Sequence, residues 1–135
     1  MRIGELARVT GTRTETIRYY ERRGILPAPP RTSANYREYG PPHRTRLAFI
    51  RQCRAMGLTL ADVEVLLACR DDRHNSCDSV DDLLAKHIQD TARRIRELRS
   101  LHADLEALRA KCSRGRTSCT CGILSGIERA AGATR

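Results

Sequence analysis

Four cysteines lie near the two ends of one long stretch of the chain. Cys77 precedes that stretch, and Cys112, Cys119 and Cys121 follow it. Thiolates are soft ligands, so a set of three or four favours thiophilic divalent ions: Cd(II), Pb(II) and Hg(II), with Zn(II) as a further candidate. Two readings of Cys119 stay open, as a fourth ligand or as a spectator beside the site. His74, near Cys77, is a further candidate ligand, although a solvated histidine is the simpler interpretation.

The stretch between these cysteines has the pattern of a long helix with one apolar seam. Residues 80–111 contain neither Gly nor Pro, so nothing interrupts a helix of roughly 50 Å. The seam positions recur every three or four residues, as in a coiled coil: Leu84, Ile88, Thr91, Ile95, Leu98, Leu101, Leu105, Leu108 and Cys112.

Cysteines at opposite ends of such a helix cannot bind one ion within a single chain. An antiparallel pairing of two chains along the seam sets Cys77 of one protomer beside Cys112, Cys119 and Cys121 of the other. The sequence therefore predicts a homodimer with two equivalent metal sites.

The positive charge of the chain is concentrated in its N-terminal part. Of the formal net charge of +9, residues 1–58 carry +8, from 12 Arg against 4 Glu. Such segregation indicates a surface for a polyanion, and double-stranded DNA is the expected partner. The sequence shows no export signal, no apolar run long enough for a membrane and no catalytic residue set, so we expect a cytoplasmic protein with reduced thiols that is not an enzyme.

Two short helices open the chain. Residues 3–9 form the first and Gly11 ends it, and Thr14 is the expected N-cap of the second, residues 15–23. This arrangement predicts a helix-turn-helix whose second helix enters the major groove. The candidate DNA contacts on that helix are Thr16, Arg18, Tyr19 and Tyr20.

A short wing should follow this pair. Residues 35–39 alternate as a strand does, and Tyr36 and Arg37 at its tip are candidate contacts to the DNA backbone, with Arg31 nearby. Two further helices are predicted at residues 43–56 and from a cap at Thr59 to residue 68, and Arg54 on the first of them is another candidate DNA contact. Cys53 and Cys69 are interpreted as small core residues.

Several of these segments together resemble the MerR family of transcription regulators. The resemblance rests on Ile3–Ala7, Thr16–Glu21, Asn35–Tyr39 and the helix that carries Arg46 to Arg54. It implies a mainly α-helical chain with a winged helix-turn-helix, a linker and an antiparallel coiled coil. It also implies a promoter-bound homodimer that works with RNA polymerase and activates metal-resistance or efflux genes by distorting the DNA.

Within the family, the cysteine pattern is most similar to the cadmium and lead regulators of the CadR and PbrR type. In that comparison the ligands are Cys77 from the partner protomer, Cys112 and Cys121, and Cys119 departs from the three-cysteine pattern. The expected division of the chain is a DNA-binding domain 1–70, a hinge 71–78, a dimerisation helix 79–112, a metal-binding loop with a short helix 113–131 and a disordered tail 132–135.

One alternative is an iron-sulfur or thiol redox-responsive regulator of the same family. A cluster requires four cysteines from the terminal segment of one chain, and this segment offers three. Absence of visible absorption bands from the purified protein would exclude the cluster.

Overall fold

The computed structural model describes residues 1–72, 74, 76–112 and 121–133 of the 135-residue chain. Its elements, within those residues, are six helices: α1 Ile3–Thr10, α2 Thr14–Arg22, α3 Pro41–Ala55, α4 Leu60–Asp71, α5 Asp78–Ala110 and α6 Gly122–Ala133. The chain divides into two compact units, Met1–Leu84 and Ala85–Arg135, each with its own packing. The mainly α-helical fold class predicted from the sequence is confirmed.

The first unit is built around a continuous apolar core. Helices α1 to α4 and the connection between α2 and α3 all contribute side chains that are at most 3% exposed, among them Leu6, Ile17, Ile25, Leu26, Tyr39, Leu47, Ile50, Cys53, Leu58, Val63 and Leu67. Leu83, near the start of α5, is half-buried against this core. The hydrophobic effect therefore fixes the start of α5 on the core of the first unit.

The turn between α1 and α2 depends on a glycine. Gly11 has a φ of 65°, in the left-handed region, and its amide donates to the carbonyl of Ala7. The expected N-cap at Thr14 is wrong, because Thr14 is already helical and the Arg13 side chain that precedes it makes no capping hydrogen bond. Both helices otherwise lie within about a residue of their predicted bounds.

The start of α4 follows its prediction closely. Thr59 Oγ1 accepts from the Asp62 amide at 3.1 Å, and the Asp62 carboxylate accepts from the Thr59 amide at 2.9 Å. Helix α3, in contrast, begins at Pro41, two residues before the prediction. The missing amide of a proline costs nothing in the first helical turn, and the Gly40 amide is satisfied by His43 Nδ1 at 3.1 Å.

The wing is a turn rather than a strand. Among the described residues no strand forms, and the predicted alternation at residues 35–39 yields one isolated antiparallel bridge between Arg31 and Arg37. Asn35, the first residue of the predicted strand, has a φ of 65° and belongs to a turn. The Tyr39 amide at the end of the wing donates to the Met1 carbonyl at 2.8 Å, which ties the wing to the start of the chain.

The second unit exposes its apolar seam. Helix α5 has 33 residues and none of them is buried, with Ile88 67% and Leu98 63% exposed. Near the end of the seam, Leu108 is half-buried, and Gly126 of α6 lies close to its side chain. A single protomer thus leaves a surface that water disfavours.

The described end of the chain is helical. Helix α6 continues to Ala133, so Gly132 and Ala133, which were assigned to the tail, are helical. No described helix is both long and apolar enough to cross a bilayer.

Candidate nucleic-acid interface and metal centre

A basic groove lies between the start of α1, helix α2 and the wing. It is lined by five arginines and one carboxylate together with apolar and neutral groups, namely Arg2, Arg18, Arg22, Arg31, Arg37, Glu21, Ile3, Asn35, Tyr36 and Tyr39. The groove brings together Arg18, Arg31, Tyr36 and Arg37 of the predicted DNA contacts. Its charge suits phosphate oxygens.

Helix α2 divides its residues between the core and the surface. Ile17 is fully buried and Tyr20 is half-buried against the core, while Arg18 and Tyr19 are exposed. Tyr19 accepts a hydrogen bond from Arg23 at 2.9 Å. Thr16 and Tyr20 are partly exposed and do not line the groove, although they lie on the same helix.

The wing side chains are positioned by contacts that reach back to α1 and α2. The guanidinium of Arg2 stacks over the Tyr36 ring, 3.8 Å from its centroid, in a cation–π contact. Arg31 donates to the Asn35 carbonyl at 3.2 Å, and Arg37 donates to Glu21 Oε2 at 2.9 Å. These contacts fix the positions of Arg31 and Arg37 at the edge of the groove.

Arg54 lies outside this groove. It is on α3, its side chain is exposed, and its guanidinium donates to the Leu58 carbonyl at 2.9 Å. That bond uses one of its five N–H donors and leaves the others for a phosphate. Arg54 is thus a candidate for a separate contact beside the start of α4.

The six cysteines differ in environment. Cys53 is 3% exposed in the core, and burial raises the pKa of its thiol, as expected for a structural cysteine. Cys69 is only half-buried, and its Sγ lies 3.1 Å from Ser79 Oγ, so it links α4 to α5 rather than filling the core. Cys119 lies outside the described residues.

Cys77 occupies the start of α5. It is exposed, and its carbonyl accepts from the Asp81 amide at 2.9 Å, which makes it the cap position of that helix. Ser76 Oγ accepts from the Asp78 amide at 3.2 Å, next to this helix start. His74 is exposed, as expected for a solvated histidine.

Cys112 and Cys121 flank a close contact between the end of α5 and the start of α6. A Cβ placed on Gly122 would lie 2.5 Å from the Lys111 carbonyl oxygen, closer than real side chains approach. Lys111 and Gly122 are the neighbours of Cys112 and Cys121, so this contact brings the backbones that carry the two thiols together. Cys112 is exposed and Cys121 half-buried, and both are free thiols.

These residues suit a thiophilic ion because of the type of ligand they offer. Cys112 and Cys121 are free thiols on backbone segments that contact one another, and a third free thiol, Cys77, is exposed at the start of α5. Within residues 1–72, 74, 76–112 and 121–133, no three His, Cys, Asp or Glu residues are grouped so that they could hold a metal ion. The donor set suits a soft cation.

Comparison with known sequences identifies the family. The profile of the MerR HTH family regulatory proteins matches residues 1–69, and a second profile, described as MerR, DNA binding, matches residues 44–108. The chain belongs to the MerR family. It is a DNA-binding transcriptional regulator of that family, and MerR regulators act as dimers.

Relatives of this MerR-family chain match nearly all of its length. An HTH-type transcriptional regulator ZntR homolog of Haemophilus influenzae is 41% identical, over 82% of this chain and 82% of that protein. A mercuric resistance operon regulatory protein of Bacillus cereus is 37% identical, over 91% and 93%. The crystal structure of PbrR691 from Ralstonia metallidurans CH34 in complex with lead(II) superposes with a TM-score of 0.85 at 42% identity, over 94% and 98%.

Two groove residues of this MerR-family chain were not predicted from the sequence. Glu21 accepts hydrogen bonds from Arg37 and from the Tyr39 hydroxyl, and Arg2 stacks on Tyr36. The signal for Glu21 was a single acidic residue among the arginines of α2. Arg2 had no comparable signal, because its role depends on where the wing folds.

Proposed function

We propose that this MerR-family regulator senses a divalent soft heavy metal and activates metal-resistance or efflux genes. Cd(II) and Pb(II) are the favoured inducers, with Zn(II) and Hg(II) as further candidates. The ligands would be Cys112 and Cys121 of one protomer and Cys77 of its partner, with Cys119 as an additional candidate. The observation that carries this function is the backbone contact between Lys111 and Gly122, which gathers two free thiols at one end of the sensor unit.

Relatives support a metal as the inducer. One is a mercuric resistance operon regulatory protein, and another was crystallised with lead(II). When bound, a soft cation would join thiolates from separate segments and displace their protons. The third thiolate is taken from the partner because α5 has 33 residues between the two cysteine positions, which at about 1.5 Å per residue separates Cys77 from Cys112 in one chain.

The residues around Cys77 explain how a restraint there would reach the DNA-binding groove. Cys77 caps α5, Cys69 on α4 contacts Ser79 in the first turn of α5, and Leu83 packs on the core that supports α2. A shift of the first turn of α5 therefore displaces packed side chains rather than a free linker. The cost of promoter distortion, several kcal/mol, is within the range of a metal site.

The residues proposed to contact DNA lie in the groove, on α2 and at Arg54. Guanidinium and hydroxyl groups of the groove would bind phosphates of double-stranded promoter DNA, and α2 would enter the major groove. The proposed contacts are Thr16, Arg18, Tyr19, Tyr20, Arg31, Tyr36, Arg37 and Arg54. RNA polymerase is the second proposed macromolecular partner. We expect the protein to act in the cytoplasm and to have no catalytic activity. The division of the chain with boundaries after residues 70, 78 and 112 stays a prediction, whereas the proposed tail from residue 132 begins inside α6.

Mixed dimers give the sharpest test of the shared site. Cys77→Ser and Cys112→Ser protomers are co-expressed with different affinity tags, the heterodimer is purified, and Cd(II) is titrated while the ultraviolet thiolate-to-metal absorption is followed. A site shared between protomers leaves one intact site in the heterodimer and none in either mutant homodimer. A site within one protomer cannot include Cys77, because α5 separates it from Cys112. It would leave two sites in the Cys77→Ser homodimer, and that result would refute the shared arrangement.

Transcription provides the functional readout. Cys77→Ser should abolish Cd(II)-induced transcription from the native promoter while operator affinity stays within about twofold, since Cys77 lies outside the groove. Cys69→Ser is the control for loss of a thiol: Cys69 is a free thiol that is not assigned as a ligand, and a serine hydroxyl there can keep the hydrogen bond to Ser79. Unchanged induction in the Cys77→Ser variant would show that this cysteine is not part of the sensor.

A further inference from the structure

Glu21 is an unexpected residue for a groove that binds a polyanion. It is the only carboxylate among the groove residues of the described chain, beside five arginines, and its side chain is only 8% exposed. A negative charge at this place repels phosphate and weakens binding to any DNA sequence. Its presence therefore calls for a role other than attraction of DNA.

The contacts of Glu21 join the recognition helix to the wing. Oε2 accepts from Arg37 at 2.9 Å, and Oε1 accepts from the hydroxyl of Tyr39, whose ring is 1% exposed. Burial, and next the bond to Glu21, raise the pKa of Tyr39, so the hydroxyl stays a donor at neutral pH. One carboxylate on α2 thus holds two wing side chains.

The wing has little other regular structure to hold it in place. Its backbone forms one isolated bridge, Arg31 with Arg37, and internal bonds such as Thr32 amide to Tyr36 carbonyl at 2.7 Å. At the end of the wing, the Tyr39 amide donates to the Met1 carbonyl at 2.8 Å, and the Met1 amine donates to the Tyr39 carbonyl at 2.7 Å. These backbone bonds reach Met1 and not α2, so among the described residues the wing is joined to α2 by side-chain contacts. Charge-assisted hydrogen bonds to a nearly buried carboxylate are the strong ones of this type.

We propose that Glu21 is a positioning residue for sequence discrimination, which fixes Arg37 and the wing relative to α2 through its bonds to Arg37 and Tyr39. With that angle fixed, phosphate contacts from the wing and base contacts from α2 are satisfied together in one register of the duplex. Without it, Arg37 and the wing bind phosphates in many registers. This inference rests on DNA binding by the first unit and not on metal sensing.

The experiment measures two affinities for the full-length dimer without metal. One duplex is selected from a random pool with the wild-type protein, and the other is its scrambled counterpart of the same length and composition. Glu21→Gln should raise the affinity for the scrambled duplex several-fold and add about one unit to the magnitude of its salt slope. The ratio of selected to scrambled affinity should fall about tenfold or more.

Glu15→Gln is the matched control for charge. Glu15 is an exposed glutamate on the same helix, with no wing partner among the described residues. It should raise both affinities by the same factor and leave their ratio unchanged. If Glu21→Gln also leaves the ratio unchanged, the carboxylate acts only as a charge and the positioning role is wrong.

Tyr39→Phe tests the same contact without changing the charge. It keeps the buried ring and removes the hydroxyl that donates to Glu21. The ratio should fall severalfold while the scrambled-duplex affinity and salt slope stay constant. This variant also serves if Glu21→Gln unfolds, as monitored by circular dichroism, and an unchanged ratio in folded Tyr39→Phe would overturn the proposal.

Discussion

The two units of this MerR-family chain bury their apolar side chains in different ways. In the first unit, residues from four helices pack together, and Leu6, Ile17 and Leu47 are completely buried within one protomer. In the second, Ile88, Leu98 and Leu105 of α5 are more than half exposed. The first unit can fold from its own residues, whereas the second requires another surface along its seam. The second unit therefore needs dimerisation to bury its apolar side chains, in addition to any use of the dimer in binding two DNA half-sites.

The largest test of this difference places a charge on the seam. Leu98→Glu should give a monomer and lower operator affinity by roughly 10²- to 10⁴-fold, because the second half-site contact is no longer intramolecular. Sedimentation and mobility-shift assays measure the two effects.

Ser100→Glu is the control for that change. It introduces the same residue at an exposed position of α5 that is off the seam. It should leave a dimer with near wild-type affinity. Retention of the dimer by Leu98→Glu would mean that the second unit does not use this seam.

One leucine truncated in each unit sharpens the comparison. Leu47→Ala removes a fully buried side chain and should lower the free energy of unfolding by about 2–5 kcal/mol at every protein concentration. Leu98→Ala should instead lower a melting temperature that rises with protein concentration, because its burial occurs on association. Thermal unfolding across a hundredfold range of protein concentration distinguishes them. A concentration-independent loss in Leu98→Ala would remove the distinction.

The contact between Lys111 at the end of α5 and Gly122 at the start of α6 can be changed without altering the first unit. Gly122→Ala forces a Cβ to within 2.5 Å of the Lys111 carbonyl, so we expect the Cys112 and Cys121 backbones to separate and Cd(II) affinity to fall about tenfold. Competition with a metal chelator measures that affinity.

Gly132→Ala is the matched control for Gly122→Ala, since nothing lies within 4 Å of a Cβ placed on Gly132. Operator affinity should be unchanged in both variants. Equal Cd(II) affinity in both would show that the contact does not position the thiols.

Periodic features of the fold were predictable from sequence, and features that depend on tertiary contact were not. The uninterrupted helix α5 and the cap at Thr59 follow from local patterns, and the structure confirms them. The residues of the wing alternate as a strand does, but they form a turn with Asn35 in the left-handed conformation, closed by a single bridge between Arg31 and Arg37. Alternation alone does not report such a turn.

The candidate site shows the same limit. The arginines of the groove were predictable from their positive charge and their place in the helix-turn-helix, and the metal ligands were predictable because cysteine thiolates bind soft ions. The role of Glu21 depends on Tyr39 and Arg37, which are 18 and 16 residues away and meet it only in the folded unit. Similarly, the exclusion of a side chain at Gly122 depends on Lys111, across a segment whose path the sequence does not specify.

The smallest expected effect concerns the edge of the first unit, where α4 ends. Arg46 donates to both carboxylate oxygens of Asp71, at 2.9 and 3.0 Å, and to the Ile25 carbonyl at 2.5 Å. The hydrogen bonds from Arg46 lower the pKa of Asp71 below its usual 3.8. A carboxyl with a depressed pKa adds stability above its unfolded pKa, and that stability is lost as the pH falls through the folded pKa.

Asp71→Asn should therefore reduce the stability of the first unit at pH 7 but not near pH 2. Because Asp71 is 54% exposed, the difference at pH 7 should be a surface-pair effect of roughly 0–1 kcal/mol. Denaturant unfolding at several pH values measures it. Asp82→Asn, at an exposed aspartate of α5 without an ion pair among the described residues, should show no such pH dependence. If both variants behave alike, the Arg46 pair does not hold the end of α4.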